Sequence, residues 1–156
     1  LFDALIARSP QFRRAVFTAV STRITELFHL VEDVAFGRLD VPQDTSTIGW
    51  NPAYCALPGE GGSTFLAAHL YFNGQPGVFS RLSTLSADDD IRIVLSDGSE
   101  HGYRVTSAVE YALGTIDMGA LLKGREGFES ITLMTCSGPP DEGEYAFRTV
   151  VLAVRA

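Results

Sequence analysis

Short runs in which apolar and polar residues alternate recur along most of this chain, and they predict β-strands. The clearest run is 90–112, where Ile91, Ile93 and Leu95 alternate with polar or smaller residues and Asp97-Gly98 predicts a hairpin turn. Further strand-like runs, rich in β-branched and aromatic residues, are RRAVFTAV (13–20), ITELFHL (24–30), VAFGRLD (34–40), STFLAAHL (63–70), ESITLMTC (129–136) and YAFRTVVLAV (145–154). About eight short strands and little helix predict a mainly β protein, folded as a closed or nearly closed β-barrel.

Helical patterns are few and short. Residues 1–8 carry apolar residues at helical spacing and are followed by Pro10, which predicts a short N-terminal helical segment over 1–11. One short helical turn is expected within 76–85 and another within 116–122. The remaining residues, 12–156, contain no linker or repeat and are expected to form a single domain.

Charge and cysteine content narrow the possible partners. The net charge of −7 over 156 residues argues against binding along a nucleic acid backbone, which needs clustered Lys and Arg. No run of eighteen apolar residues occurs, and the chain begins at Leu1, so we expect an upstream signal or membrane anchor to be missing from it. Two distant cysteines, Cys55 and Cys136, fit no zinc or CxxC spacing and allow either one disulfide or two thiols. No cofactor and no metal are predicted.

Three residues at the ends or flanks of predicted strands form a candidate catalytic set: His69, Cys136 and Arg148. A thiol, an imidazole and a guanidinium can supply a nucleophile, a proton donor for a leaving amine and a donor to a developing oxyanion. Residue type alone is weak support, because cysteine is among the most buried residue types and lone histidines and arginines are common. The neighbouring residues are more specific.

The sequence TLMTC (132–136) resembles the TLxTC motif of the sortases, bacterial cysteine transpeptidases that attach proteins to cell walls. FLAAHL (65–70) resembles the LAGH strand of that family, and YAFRTVVLAV (145–154) resembles its last strand, which carries an arginine about a dozen residues after the cysteine. TIGW (47–50), PGEGGSTFLAAH (58–69) and VFSRLSTLSADDDIRI (78–93) are most similar to class E and F sortases. The resemblance implies a closed eight-stranded sortase-like β-barrel over 12–156.

The resemblance also implies a mechanism. Cys136 attacks the threonine carbonyl of an LPxTG-like sorting signal of a surface protein or pilin, Arg148 stabilises the oxyanion, and His69 protonates the leaving amine. An amine acceptor such as a peptidoglycan precursor then resolves the thioester, at the extracellular face of the membrane. Thr135 is implied to help position substrate or oxyanion. Active enzyme would be the minor thiolate–imidazolium form, because free cysteine has a pKa of about 8.5 and free histidine about 6.5.

Two other functions stay open at this point. In a cysteine peptidase, water would resolve the same thioester. In a non-catalytic binding module, a Cys55–Cys136 disulfide would staple the barrel. Ala68 stands where the family usually has glycine, which bears on substrate choice rather than on the reaction. The acidic run 88–90 lacks the ligand spacing of a calcium loop and is expected to be a solvated turn.

Overall fold

The computed structural model describes residues 15–20, 25–32, 44–50, 55–95, 98–125, 127–141 and 144–156. Ten strands and one α-helix occur in this part of the chain. They are β1 (Ala15–Val20), β2 (Thr25–Glu32), β3 (Thr47–Trp50), β4 (Ser63–Ala67), β5 (Tyr71–Phe72), β6 (Gln75–Pro76), β7 (Asp90–Leu95), β8 (Glu100–Ala112), α1 (Met118–Lys123), β9 (Ser130–Asp141) and β10 (Glu144–Arg155).

Eight of the strands pair into one barrel in the order β1-β2-β3-β4-β9-β10-β8-β7, and β7 pairs back with β1. The pairs β2–β3 and β4–β9 are parallel, and the other pairs in the ring are antiparallel. The predicted mainly β barrel is therefore confirmed. β5 and β6 form a separate two-stranded hairpin.

Side chains that alternate along the strands fill the barrel interior. On β9, Ile131 and Leu133 are fully buried and lie opposite Ala153 and Val151 of β10, which are also fully buried. Residues directly opposite each other in an antiparallel pair share a face, so this set marks the inner face of both strands. The even-numbered residues of β9 as far as Cys136 therefore lie on the outer face.

The helix α1 covers the first half of that outer face. Asp117 caps the helix by accepting a hydrogen bond from the backbone N–H of Ala120 at 3.0 Å. Thr132, on the outer face of β9, donates to the carbonyl of Leu121 at 3.5 Å and is buried. The second half of β9, which holds Cys136, is left partly open.

Most of the predicted elements are present. Both expected helical turns occur, as a 3₁₀ turn at Leu82–Thr84 and as α1. β4 ends at Ala67, two residues before His69. The four-residue β3 and the β5–β6 hairpin were not predicted as strands. The predicted helical segment over 1–11 and the strand over 34–40 lie outside the described residues, and the single domain over 12–156 stays a prediction.

A buried tyrosine on β8 is hydrogen-bonded to the residue just before β9. Tyr103 on β8 is 0% exposed, and its hydroxyl donates a short hydrogen bond to Oε1 of Glu129. The same carboxylate oxygen accepts from the backbone N–H of Gly59 at 2.8 Å. The pKa of Tyr103 is raised well above its usual range. The largest cause is burial of the phenol, and the next is its hydrogen bond to Glu129.

This raised pKa predicts a specific alkaline loss of stability. Above the pKa of an unfolded tyrosine, about 10, the unfolded chain releases a proton that folded Tyr103 retains. The contribution of Tyr103 protonation to the free energy of unfolding should therefore be fully present below about pH 10 and should be lost as the pH rises further. We expect Tyr103→Phe to flatten this fall, measured as the free energy of unfolding in urea between pH 8 and 11. The exposed Tyr71→Phe is the matched control, and equal slopes for the two variants would contradict the prediction.

Candidate active site

The pairing of β9 with β10 puts Arg148 directly opposite Cys136. Cβ atoms of such a pair are about 4.5–5.5 Å apart on one face of the sheet. This is the outer face, because neighbouring Thr135 and Thr149 are buried whereas Cys136 and Arg148 are half-buried. The thiol and the guanidinium thus share one partly open surface.

The pairing of β4 with β9 brings His69 to the other side of Cys136. The last pair of this parallel ladder is Ala67 with Met134. The backbone continues alongside β9, since the N–H of Ala68 donates to the carbonyl of Met134 at 3.3 Å. His69 is the next residue after Ala68, and Cys136 lies two residues after Met134 on β9. Cys136 and Arg148 therefore lie opposite each other on β9 and β10, and His69 follows the end of β4 on the other side of β9.

Thr135 lies on the opposite face from Cys136. It is 4% exposed, and its hydroxyl donates to the carbonyl of Ala68 at 2.8 Å. This hydrogen bond fixes the backbone just before His69. The geometry favours an indirect role, in which Thr135 holds the chain that carries the histidine, over contact with a substrate.

Two residues that the sequence patterns did not single out hold His69. The imidazole lies against the ring of Phe72, with centroids 4.9 Å apart. Gly77 packs so closely on the carbonyl of His69 that a Cβ there would overlap the oxygen. Nε2 is buried and has no hydrogen-bond partner within the described part of the chain. The Asn73-Gly74 pair at the turn was the available sequence signal for this β5–β6 hairpin.

The guanidinium of Arg148 is docked on its own strand. Nη1 donates to the carbonyl of Tyr145 at 2.8 Å and to the carbonyl of Phe147 at 2.9 Å. Among the described residues, no other group accepts from this side chain. A guanidinium has five N–H donors, so three remain for a substrate or an oxyanion.

Cys55 is remote from these three residues. Its thiol is free, 8% exposed and beside Phe65, and burial raises its pKa. Phe65 pairs with Thr132, four residues before Cys136, which is about 13 Å along the strand. A disulfide requires Cα atoms about 4.4–6.8 Å apart. Both cysteines are free, and the geometry does not support the disulfide-stapled binding module.

This separation predicts that Cys55 is dispensable for catalysis. We expect Cys55→Ser to retain turnover, and one equivalent of iodoacetamide to modify Cys136 first, because a buried thiol with a raised pKa holds little thiolate. Intact-mass measurement followed by peptide mapping identifies the labelled sulfur. Preferential labelling of Cys55 together with an inactive Cys55→Ser variant would identify Cys55 as the nucleophile instead.

The acidic run 88–90 has its own partners. Asp89 accepts from the backbone N–H of Ser86 at 2.9 Å, and Asp90 pairs with Arg104 at 3.0 Å. In the described ranges, no three His, Cys, Asp or Glu side chains come close enough together to hold a metal ion. In the same ranges, no helix has the length and apolar character needed to cross a membrane.

Comparisons with known proteins agree on one family. The Sortase domain family matches residues 23–156, most of the chain. None of the curated proteins matches the sequence. Among solved structures, a lid mutant of sortase A from Corynebacterium diphtheriae aligns with a TM-score of 0.70 and 22% identity, covering 94% of this chain and 74% of that one.

Two further solved structures share the fold. The sortase D5 transpeptidase of Clostridium perfringens aligns with a TM-score of 0.65 and 20% identity over 92% of this chain and 79% of its own. Sortase C-1 of Actinomyces oris aligns with a TM-score of 0.68 and 20% identity over 91% of this chain and 71% of its own. Because classes A, C and D align about equally well, the predicted likeness to classes E and F stays a prediction. With the family match over residues 23–156 and a barrel of the same fold, this chain belongs to the sortase family.

Proposed function

We propose that this protein is a cysteine transpeptidase that cleaves an LPxTG-like sorting signal after its threonine and transfers the acyl group to an amine. The observation that carries the proposal is that Arg148 lies opposite Cys136 on β10 and β9, with His69 just past the end of β4, the strand on the other side of β9. This set of three residues is called the row. Cysteine transpeptidation needs a thiolate, an acid and an oxyanion donor within reach of one carbonyl. The row supplies all three on a partly open face.

In the first half-reaction, the Cys136 thiolate attacks the threonine carbonyl and forms a tetrahedral oxyanion. The free donors of Arg148 hydrogen-bond to that oxyanion. The C–N bond then breaks, protonated His69 gives its proton to the departing glycine amine, and a thioester to Cys136 remains. Both Cys136 and His69 are half-buried, so neither side chain is closed off from a bound substrate.

In the second half-reaction, an acceptor amine attacks the thioester carbonyl. Neutral His69 takes the proton that the attacking nitrogen loses, the C–S bond breaks, and Cys136 leaves as the thiolate. The enzyme returns to its starting protonation state, and the two half-reactions predict ping-pong kinetics. The acceptor is a peptidoglycan precursor or a pilin lysine, and the enzyme acts on the extracellular face of the membrane.

The proposal is tested by product analysis. A library of LPxTG-like peptides is incubated with the protein, with and without glycine or lysine amines, and the products are identified by mass spectrometry. Transpeptidation requires an amide between the threonine and the added amine. Release of the free acid at the same rate with and without amine would instead identify a cysteine peptidase, and intact peptides throughout would overturn both.

A further inference from the structure

A β-bulge lies in β9 between Ser137 and Pro140, shortly after Cys136. Phe147 pairs with Ser137, and Tyr145 pairs with Pro140, so three steps along β9 match two steps along β10. One extra residue is therefore inserted in β9 between Ser137 and Pro140. Bulges bend a strand, interrupt its ladder and change the direction of nearby side chains.

The bulge depends on glycine at position 138. Gly138 has φ +79°, a left-handed conformation that residues with a Cβ rarely adopt. A Cβ at this position would lie 2.7 Å from Cδ2 of Phe147 and 3.5 Å from its Cε2. The phenyl ring thus packs on the bare backbone of Gly138, and both the backbone angle and the space exclude a larger residue.

This contact lies next to the two carbonyls that hold Arg148. Nη1 of Arg148 donates to Phe147, whose ring covers Gly138, and to Tyr145, on the far side of the register shift. In a regular ladder, strand carbonyls accept from the neighbouring strand. The register shift lies between Tyr145 and Phe147, and the carbonyls of these two residues accept from the guanidinium.

We propose that Gly138 and Phe147 are positioning residues for Arg148: the bulge fixes Nη1 on the backbone and thereby directs the remaining donors toward Cys136. This inference rests on the proposed function, since it assigns a purpose to the orientation of the oxyanion donor. It predicts that disturbing the bulge lowers the rate through Arg148 rather than through the thiol.

The test is Gly138→Ala. A misplacement of about 1 Å in a catalytic group costs up to about 10²-fold in rate, so we expect kcat and kcat/KM of peptide transfer to fall together by between about tenfold and about 100-fold. The rate of Cys136 alkylation by iodoacetamide should stay near that of the unsubstituted protein. The matched control is Gly98→Ala, which has φ +84° but open space around the added methyl.

A double-mutant cycle with Arg148→Lys distinguishes positioning from a general structural effect. Without the guanidinium there is no planar donor group to position. Adding Gly138→Ala to Arg148→Lys should therefore lower the rate of peptide transfer by less than about twofold. A double variant whose rate falls by the product of the two single-variant factors would overturn the inference. So would a Gly138→Ala variant that keeps its rate, or one whose alkylation slows in parallel with transfer.

Phe147→Leu tests the same contact if Gly138→Ala does not accumulate as folded protein. It adds no atom and removes the ring that lies over Gly138. We expect a smaller fall in kcat that likewise disappears in the Arg148→Lys background, and an unchanged kcat would contradict the proposal. Unsubstituted protein and Cys136→Ala are assayed alongside. If the unsubstituted protein shows no turnover, the proposed function and the inference are both overturned. If it turns over but the Gly138 and Phe147 variants keep its rate, only the inference is overturned.

Discussion

Replacing Cys136 by alanine is expected to abolish peptide cleavage and transfer while the barrel remains folded. Without the sulfur no thioester forms, and neither His69 nor Arg148 offers another nucleophile at that position in the row. The side chain is half-buried on the outer face of β9, so the loss of one sulfur should cost only about 1 kcal/mol of stability. Product formation by mass spectrometry and thermal unfolding measure the two parts of the prediction.

Cys55→Ala is the matched control, because it removes the same atom from the other cysteine. It should keep activity although its site is more buried and its stability loss larger. Product formation by Cys136→Ala at the rate of the unsubstituted protein would contradict the proposed mechanism. Loss of activity in both variants, with both folded, would mean that neither sulfur acts alone.

Arg148→Lys is expected to lower kcat by about 10²–10³-fold, the usual loss for one oxyanion donor. The native guanidinium donates from Nη1 to two carbonyls at 2.8 and 2.9 Å and keeps further donors free. An ammonium is a point charge on a flexible stem, so it cannot hold the backbone with one nitrogen and the oxyanion with another. The charge is unchanged, and the loss therefore reports on geometry.

Arg92→Lys controls for the substitution itself. Arg92 is an exposed residue of β7 that pairs with Glu100 at 3.2 Å, a contact that lysine can replace. It should leave kcat and kcat/KM unchanged. An Arg148→Lys variant with near-native kcat/KM would remove Arg148 from the site and leave the oxyanion without its proposed donor.

The strand pattern could be predicted wherever alternation extends over several residues. β7, β8, β9 and β10 have six to thirteen residues each, enough for the period of two to be recognised. β5 and β6 have two residues each and show no period at all. β3 has four residues and includes Gly49, which has no side chain to contribute to the pattern.

The sequence predicted the three residues of the candidate site but not the contacts that support them. Motif resemblance pointed to His69, Cys136 and Arg148, because each lies in a short and distinctive run. Phe72 and Gly138 lie in stretches without such a run, and each matters through a partner that folding brings to it. A glycine within a strand is a general signal of a bulge, but the sequence does not say that the ring of Phe147 packs on Gly138.

The sequence by itself determined the strand-rich class, the order His69, Cys136, Arg148 and the chemistry that these three side chains can perform. Only the tertiary structure decided that Arg148 lies opposite Cys136, that Thr135 faces the interior and that Cys55 is too distant to bridge. Alternation says which residues of one strand share a face, but not which strand lies beside it or in what register. That choice depends on contacts between distant segments, such as the hydrogen bond from Thr135 to Ala68 across 67 residues of chain, and these contacts exist only once the barrel has formed.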